Sequence, residues 1–170
     1  MSSDTTGVDY TTLSWVKQEL DETLSQARIA LESFVEDDDD PTQLRFCVTH
    51  LHQVYGTLQM VELYGAAMLA EEMEALAVVL LEEESKRRDE TFEVLMRAML
   101  QLPDYLERLQ AGHRDIPIVL LPLVNDLRAA QGKALLSENA LFTPDLSALA
   151  PLREDEQSAA DRHGERSEGG

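Results

Sequence analysis

One cysteine, Cys47, occurs in the 170 residues. An internal disulfide is therefore impossible, and no Cys/His cluster has the spacing of a zinc site. With Phe46 and Val48 beside it, the thiol reads as a small buried hydrophobe. Basic residues are also scarce: 14 Lys and Arg face 33 Asp and Glu, for a formal net charge of −19. Such a surface repels nucleic-acid phosphates and anionic lipid headgroups, which excludes a nucleic-acid role. The one basic cluster, Lys86 to Arg88, lies beside Glu82 to Glu84 and reads as cations near a helix C-terminus. Long apolar runs are missing as well. Ile116 to Val124 is too short to span a bilayer and contains Pro117 and Pro122. The polar start Met1 to Gly7 is not a secretory leader, so the expected location is cytoplasmic, without membrane insertion. Aromatics make up 5% of the chain, and no stretch alternates Val, Ile, Thr and aromatics at period two. Strands are not expected.

What is abundant is Leu, Ala, Glu and Met, side chains that lose little freedom in a helix. Leu13, Val16, Leu20, Leu24, Ala27, Leu31 and Phe34 recur at spacings of three and four, giving a first amphipathic helix. Thr11 or Thr12 would cap it, and it would end near Glu36. Asp37 to Asp40 and Pro41 form a loop, with Pro41 expected at the first position of the next helix. A calcium loop is excluded, because the alternating oxygen ligands, central Gly and terminal Glu are absent.

A second helix is expected from Thr42 to Glu62, with Leu44, Cys47, Leu51, Tyr55 and Leu58 inward and Val48 and Val54 flanking. A third runs from Tyr64 or Gly65 to Ser85, burying Ala66, Leu69, Met73, Leu76 and Leu80. A fourth runs from Asp89 to Leu109, where Pro103 should kink or split it and Gly112 should stop it. Pro117 to Ala130 reads as a shorter fifth helix, ended by Gly132. Ala134 to Leu149 has weak periodicity and reads as a loop packed on the helices. No solenoid-type repeat is present. Four successive amphipathic helices with short joins imply an all-α, antiparallel up-and-down four-helix bundle, here with an added C-terminal helical and loop segment. The expected organisation is a flexible N-terminus (1–10) and a helical domain (11–145), divided into a core bundle (11–112) and an extra segment (113–145). A disordered tail or interdomain linker (146–170) would follow.

Candidate chemistry concentrates on the second helix. His52 lies roughly 100° from the centre of the apolar stripe, so it should sit on a solvent-reachable shoulder. His50 falls on the opposite shoulder. Gly56 is one turn beyond His52 on the same side, and a glycine inside a helix costs on the order of 1 kcal/mol against alanine. Either a partner comes close to the imidazole there, or a neighbouring helix packs tightly against Gly56. The plain alternative for His52 is a solvated surface histidine.

The segment His52-Gln53-Val54-Tyr55-Gly56-Thr57 resembles the His-x-x-Lys-Gly-Ser/Thr motif of histidine phosphotransfer (HPt) domains in CheA-type kinases. Further strings, Leu13 to Asp21, Leu51 to Val54, Leu69 to Glu74 and Asp115 to Pro122, are similar to the FimL-related N-terminal region of ChpA/PilL-type hybrid kinases, which control type IV pili and twitching motility. The similarity covers about residues 12 to 145. It implies an HPt-like bundle in which His52 accepts a phosphoryl group and Glu74, on the next helix, orients the ring. Tyr55, Gly56 and Gln59 would border the docking surface. Implied partners are CheY-like receiver domains, the kinase core of a parent protein, and pilus-regulatory scaffold proteins. No cofactor or metal is implied. The family's lysine is replaced by Tyr55, a hydroxyl without charge at neutral pH. The chain holds no ATP-binding glycine loop and no kinase motif, so it cannot make phosphohistidine alone. Two functions follow: a phosphotransfer domain acting through His52, or a non-catalytic scaffold with the same shape that docks pilus-regulatory or polar-localisation proteins.

Overall fold

The structure is a computed structural model that describes residues 10–37, 39–82 and 88–142. The flexible N-terminus and the tail or linker expected from the sequence lie almost wholly outside the described residues. The described residues fall into two units, divided after Leu136. The first contains helices α1 (Tyr10–Glu36), α2 (Thr42–Met60), α3 (Tyr64–Glu82), α4 (Arg88–Gln110) and α5 (Pro117–Ala130). The second contributes α6 (Glu138–Phe142), a short helix where the sequence suggested a loop. All regular structure among the described residues is helical.

The stripe of α1 is buried as its periodicity requires: Leu20, Leu24, Ala27, Leu31 and Phe34 are each at most 2% exposed. Contacts run from α1 to α2, α2 to α3, α3 to α4 and α4 back to α1, closing a ring around one core. Helix α5 lies against α3 and α4, burying Leu120, Leu123, Val124 and Leu127. α3 therefore has neighbours on three sides, which is why Gly65, Ala66, Ala67, Ala70 and Ala77 can be buried on it beside the larger stripe.

Several local details differ from the sequence reading. α1 already begins at Tyr10, before the threonines expected to cap it. Pro41 sits just outside α2 as the cap residue, and Asp40 takes over the capping chemistry. Its Oδ1 accepts the Thr42 N–H at 2.9 Å and the Thr42 hydroxyl at 2.6 Å. Those bonds hold the Asp40 carboxyl below the ordinary carboxylate range. On α2 the inward seat belongs to Val54, fully buried, while Tyr55 is half-buried at the edge. Pro103 does not split α4, which runs unbroken from Arg88 to Gln110.

α2, α4 and α5 end in the same way. The N–H of Glu62 bonds Gln59 O and that of Leu63 bonds Leu58 O; equivalent pairs close α4 at Gly112 and α5 at Gly132. Each turn needs a residue with positive φ. Glycine supplies it at Gly112 (104°) and Gly132 (74°), whereas Glu62 adopts 62° with a side chain attached.

Candidate functional site

α2 places His52 on its outer shoulder, with 69% of the side chain exposed. Its Nδ1 is 2.9 Å from Glu74 Oε1 on α3. A carboxylate accepts from Nδ1–H, which leaves Nε2 facing outward as an acceptor when the ring is neutral. α2 and α3 pack along one another, and this is what joins two residues 22 positions apart.

Tyr55 and Gln59 stand one turn apart on the same helix, and Gln59 Nε2 donates to the Tyr55 hydroxyl at 2.9 Å. Around Gly56, a β carbon would meet nothing within 4 Å. Tight packing by a neighbouring helix therefore does not account for this glycine; the space it leaves opens outward. α2 as a whole carries no Asp or Glu, although the chain has 33. His50, on the other shoulder, is half-buried, and its Nδ1 is out of solvent with no hydrogen-bond partner. Cys47 is fully buried, and burial pushes its thiol up to about 12. No cluster of three His, Cys, Asp or Glu among the described residues could hold a metal ion. No helix among them is long and apolar enough to cross a membrane. A groove of about 330 Å³ lies elsewhere, between α1 and α4, bordered by Lys17, Arg28, Met99, Pro103 and Asp104.

Two polar knots tie α5 and the residues just before it to α3 and α4. Glu72 is 7% exposed and takes Arg128 Nη1 and Gln131 Nε2, each at 2.8 Å, with Lys133 Nζ at 3.7 Å. Asp115 accepts the Gly65 N–H at 2.9 Å and the Tyr105 hydroxyl, and the Tyr105 oxygen in turn accepts the Ile116 N–H at 2.9 Å. Burial and the bond to Asp115 raise the Tyr105 phenol above its usual range. A β carbon at Gly65 would collide with the Asp115 carboxylate. Gly65 itself was the available signal, a glycine in the first turn of a helix with no turn to make.

Residues 11–123 match the family model of the FimL C-terminal domain. The chain is 37% identical over 141 residues to the scaffold protein FimL of Pseudomonas aeruginosa, an alignment covering 83% of this chain and 25% of that protein. The chain thus spans about a quarter of the length of the curated relative it matches. No solved structure matches.

The relative corrects the phosphotransfer function, with His52 as phosphoacceptor, that the motif suggested: the protein it resembles is named a scaffold. The local chemistry agrees with the correction. Where the motif has a lysine stands Tyr55, whose hydroxyl is bonded to Gln59 and supplies no cation for a phosphoryl group on the ring. The bond from His52 to Glu74 is the arrangement the motif itself implied, so it favours neither function.

Proposed function

Because the chain belongs to the FimL C-terminal domain family, we propose that it is a non-catalytic docking domain, which holds pilus-regulatory or polar-localisation proteins and transfers no phosphoryl group. The observation that carries this reading is the 37% identity to a protein named as a scaffold. The same relative favours a FimL-like scaffold over a ChpA/PilL-type kinase as the setting of the domain.

The docking face is the outer side of α2, with His52, Tyr55, Gly56 and Gln59. The closed ring of α1 to α4 fits an antiparallel, HPt-like four-helix bundle, and CheY-like receiver domains are the partners that the resemblance implies for the helix bearing His52. Losing phosphotransfer leaves that surface in place. Glu74 fixes the ring of His52 so that Nε2 can accept a hydrogen bond from the partner. Open space at Gly56 admits a partner side chain or backbone beside the ring. An acid-free α2 lowers the repulsion that the molecule's charge sets against an acidic partner at this face.

Calorimetric titration with the receiver domain of a pilus regulator tests the reading. Gly56→Ala should leave the thermal stability of the domain unchanged or raise it by up to about 1 kcal/mol, since the added methyl enters open space on a helix. Gly56→Gln should keep the fold and weaken binding at least tenfold. A phosphorylated receiver should keep its label in the presence of the domain. Label that moves to the domain and is lost in His52→Gln would overturn the non-catalytic reading, and binding indifferent to Gly56→Gln would remove α2 as the docking face.

A further inference from the structure

Five large apolar side chains stand in solvent at one end of the helical unit. Trp15 is 80% exposed, Met60 84%, Tyr64 59%, Ile116 45% and Val119 55%. Their common location follows from hydrogen bonds between the elements that carry them. Gln110 Nε2 donates to Ser14 Oγ at 3.2 Å, setting the start of α1 against the end of α4. The Gly65 N–H donates to Asp115 at 2.9 Å, and the Ile116 N–H donates to the Tyr105 hydroxyl oxygen at 2.9 Å, bringing the starts of α3 and α5 to the same place. A turn of three residues, Val61 to Leu63, joins the end of α2 to the start of α3. Exposed apolar residues scattered singly need no explanation, whereas a gathering at one end does.

Charge sets this end apart as well. Residues 51–61, 63–70 and 116–125 contain no Asp or Glu. Arg108, His113 and Arg114 lie at this end, against Glu62, Glu107 and Asp115, the last of them engaged with Gly65 and Tyr105. The far end, by contrast, carries Glu36, Asp37, Asp39, Asp40, Asp89 and Glu90. For a chain of net charge −19, approach by a second copy is opposed over most of the surface and least opposed here.

We propose that this end is a self-association surface, on which a second copy of the chain seats in a two-fold contact. The five side chains expose on the order of 600 Å² of apolar area. A standard interface buries about 800 Å² per partner, so the patch with its polar rim is of the size a dimer needs. In a two-fold contact each residue meets the symmetric face, so cations at Arg108 and Arg114 of one copy share a rim with Glu62 and Glu107 of the other. This surface adjoins the docking face around His52 only through Met60, the last residue of α2; Trp15 and Val119 lie on other helices, so the two surfaces can fail independently.

Sedimentation equilibrium of the whole 170-residue chain, from about 1 to 500 µM, tests the proposal. The chain should show a concentration-dependent monomer–dimer equilibrium. Trp15→Glu and Val119→Glu should each raise the dissociation constant at least tenfold. Both positions are exposed and neither is on α2, so far-UV circular dichroism and receiver binding should be unchanged. A chain monomeric over the whole range overturns the proposal, as does a dimer whose constant neither variant alters. A full chain that stays monomeric while the chain lacking residues 1–9 dimerises also overturns it, since the patch would then be covered by the chain's own N-terminal segment.

Discussion

Glu71, Glu72 and Glu74 stand within four positions of α3, alike in composition and quite different in environment. Glu71 is exposed, Glu72 is buried under α5, and Glu74 reaches across to His52. Rotation about the helix axis decides among them, at about 100° per residue. Cys47 shows the same dependence in the core, where its turn of α2 faces inward and the thiol is held protonated. The folded pKa is raised from 9.0 to about 12, so the unfolded chain gives up this proton first as pH rises. Stability from this group is complete below pH 9 and is lost from there up to about 12, at about 1.4 kcal/mol per pH unit. Tyr105, raised in the same direction, adds to the loss at higher pH. Urea unfolding of wild type and Cys47→Ala at pH 8, 9 and 10 should show a shallower alkaline decline in the variant, and a thiol reagent at pH 8 should label wild type only as fast as it unfolds. Rapid labelling of the native protein would contradict the burial.

At the scale of elements, α5 is the piece most dependent on polar contacts. Its apolar face seats on α3 and α4, but its C-terminal end is held by Glu72 taking Arg128, Gln131 and Lys133 together. Beyond it, Asn125 bonds both the N–H and the carbonyl of Leu136, at 2.8 and 3.0 Å, closing the segment that follows. Glu72→Ala leaves Arg128 without its carboxylate in a poorly hydrated place, a loss of about 1–3 kcal/mol. Hydrogen exchange should then show α5 losing protection well before α1 to α4. Uniform loss across all five helices would mean that α5 is part of one cooperative unit and that Glu72 is not a local clasp. Pro117–Ala130 was legible in the sequence as a helix because a proline opens it, Gly132 ends it and its apolar residues are periodic. The inward choice between Val54 and Tyr55 was not, since both border the same stripe and only the packing of α2 on its neighbours selects the smaller side chain. The His52–Glu74 pairing was expected from a resemblance, whereas Gly65 marks only that something comes close to the start of α3, and nothing in the sequence names Asp115, 50 positions away, as that partner.

Over the whole molecule the governing quantity is charge. Net −19 on 170 residues means that the folded unit confines like charges which the unfolded chain holds further apart. The ion pairs among the described residues include local ones, such as Lys17–Asp21 at 2.6 Å, and ones between helices, such as Arg97–Asp126 at 3.3 Å, but 14 Lys and Arg cannot offset 33 Asp and Glu one for one. Screening should therefore stabilise the fold. At an ionic strength of about 0.01 M the Debye length is roughly 30 Å, comparable to a helix of 20 residues, and at 1 M it is about 3 Å. Raising sodium chloride from about 0.01 to 0.5 M should lift the melting temperature by several degrees, with most of the gain below about 0.2 M, where the screening length shrinks fastest. The opposite sign would show that attractive pairs outweigh the excess of carboxylates. Salt bears on the apolar end in the same sense. Self-association there should strengthen as screening relieves repulsion between copies that each carry a net charge of −19, and a dissociation constant that rises with salt would contradict this account.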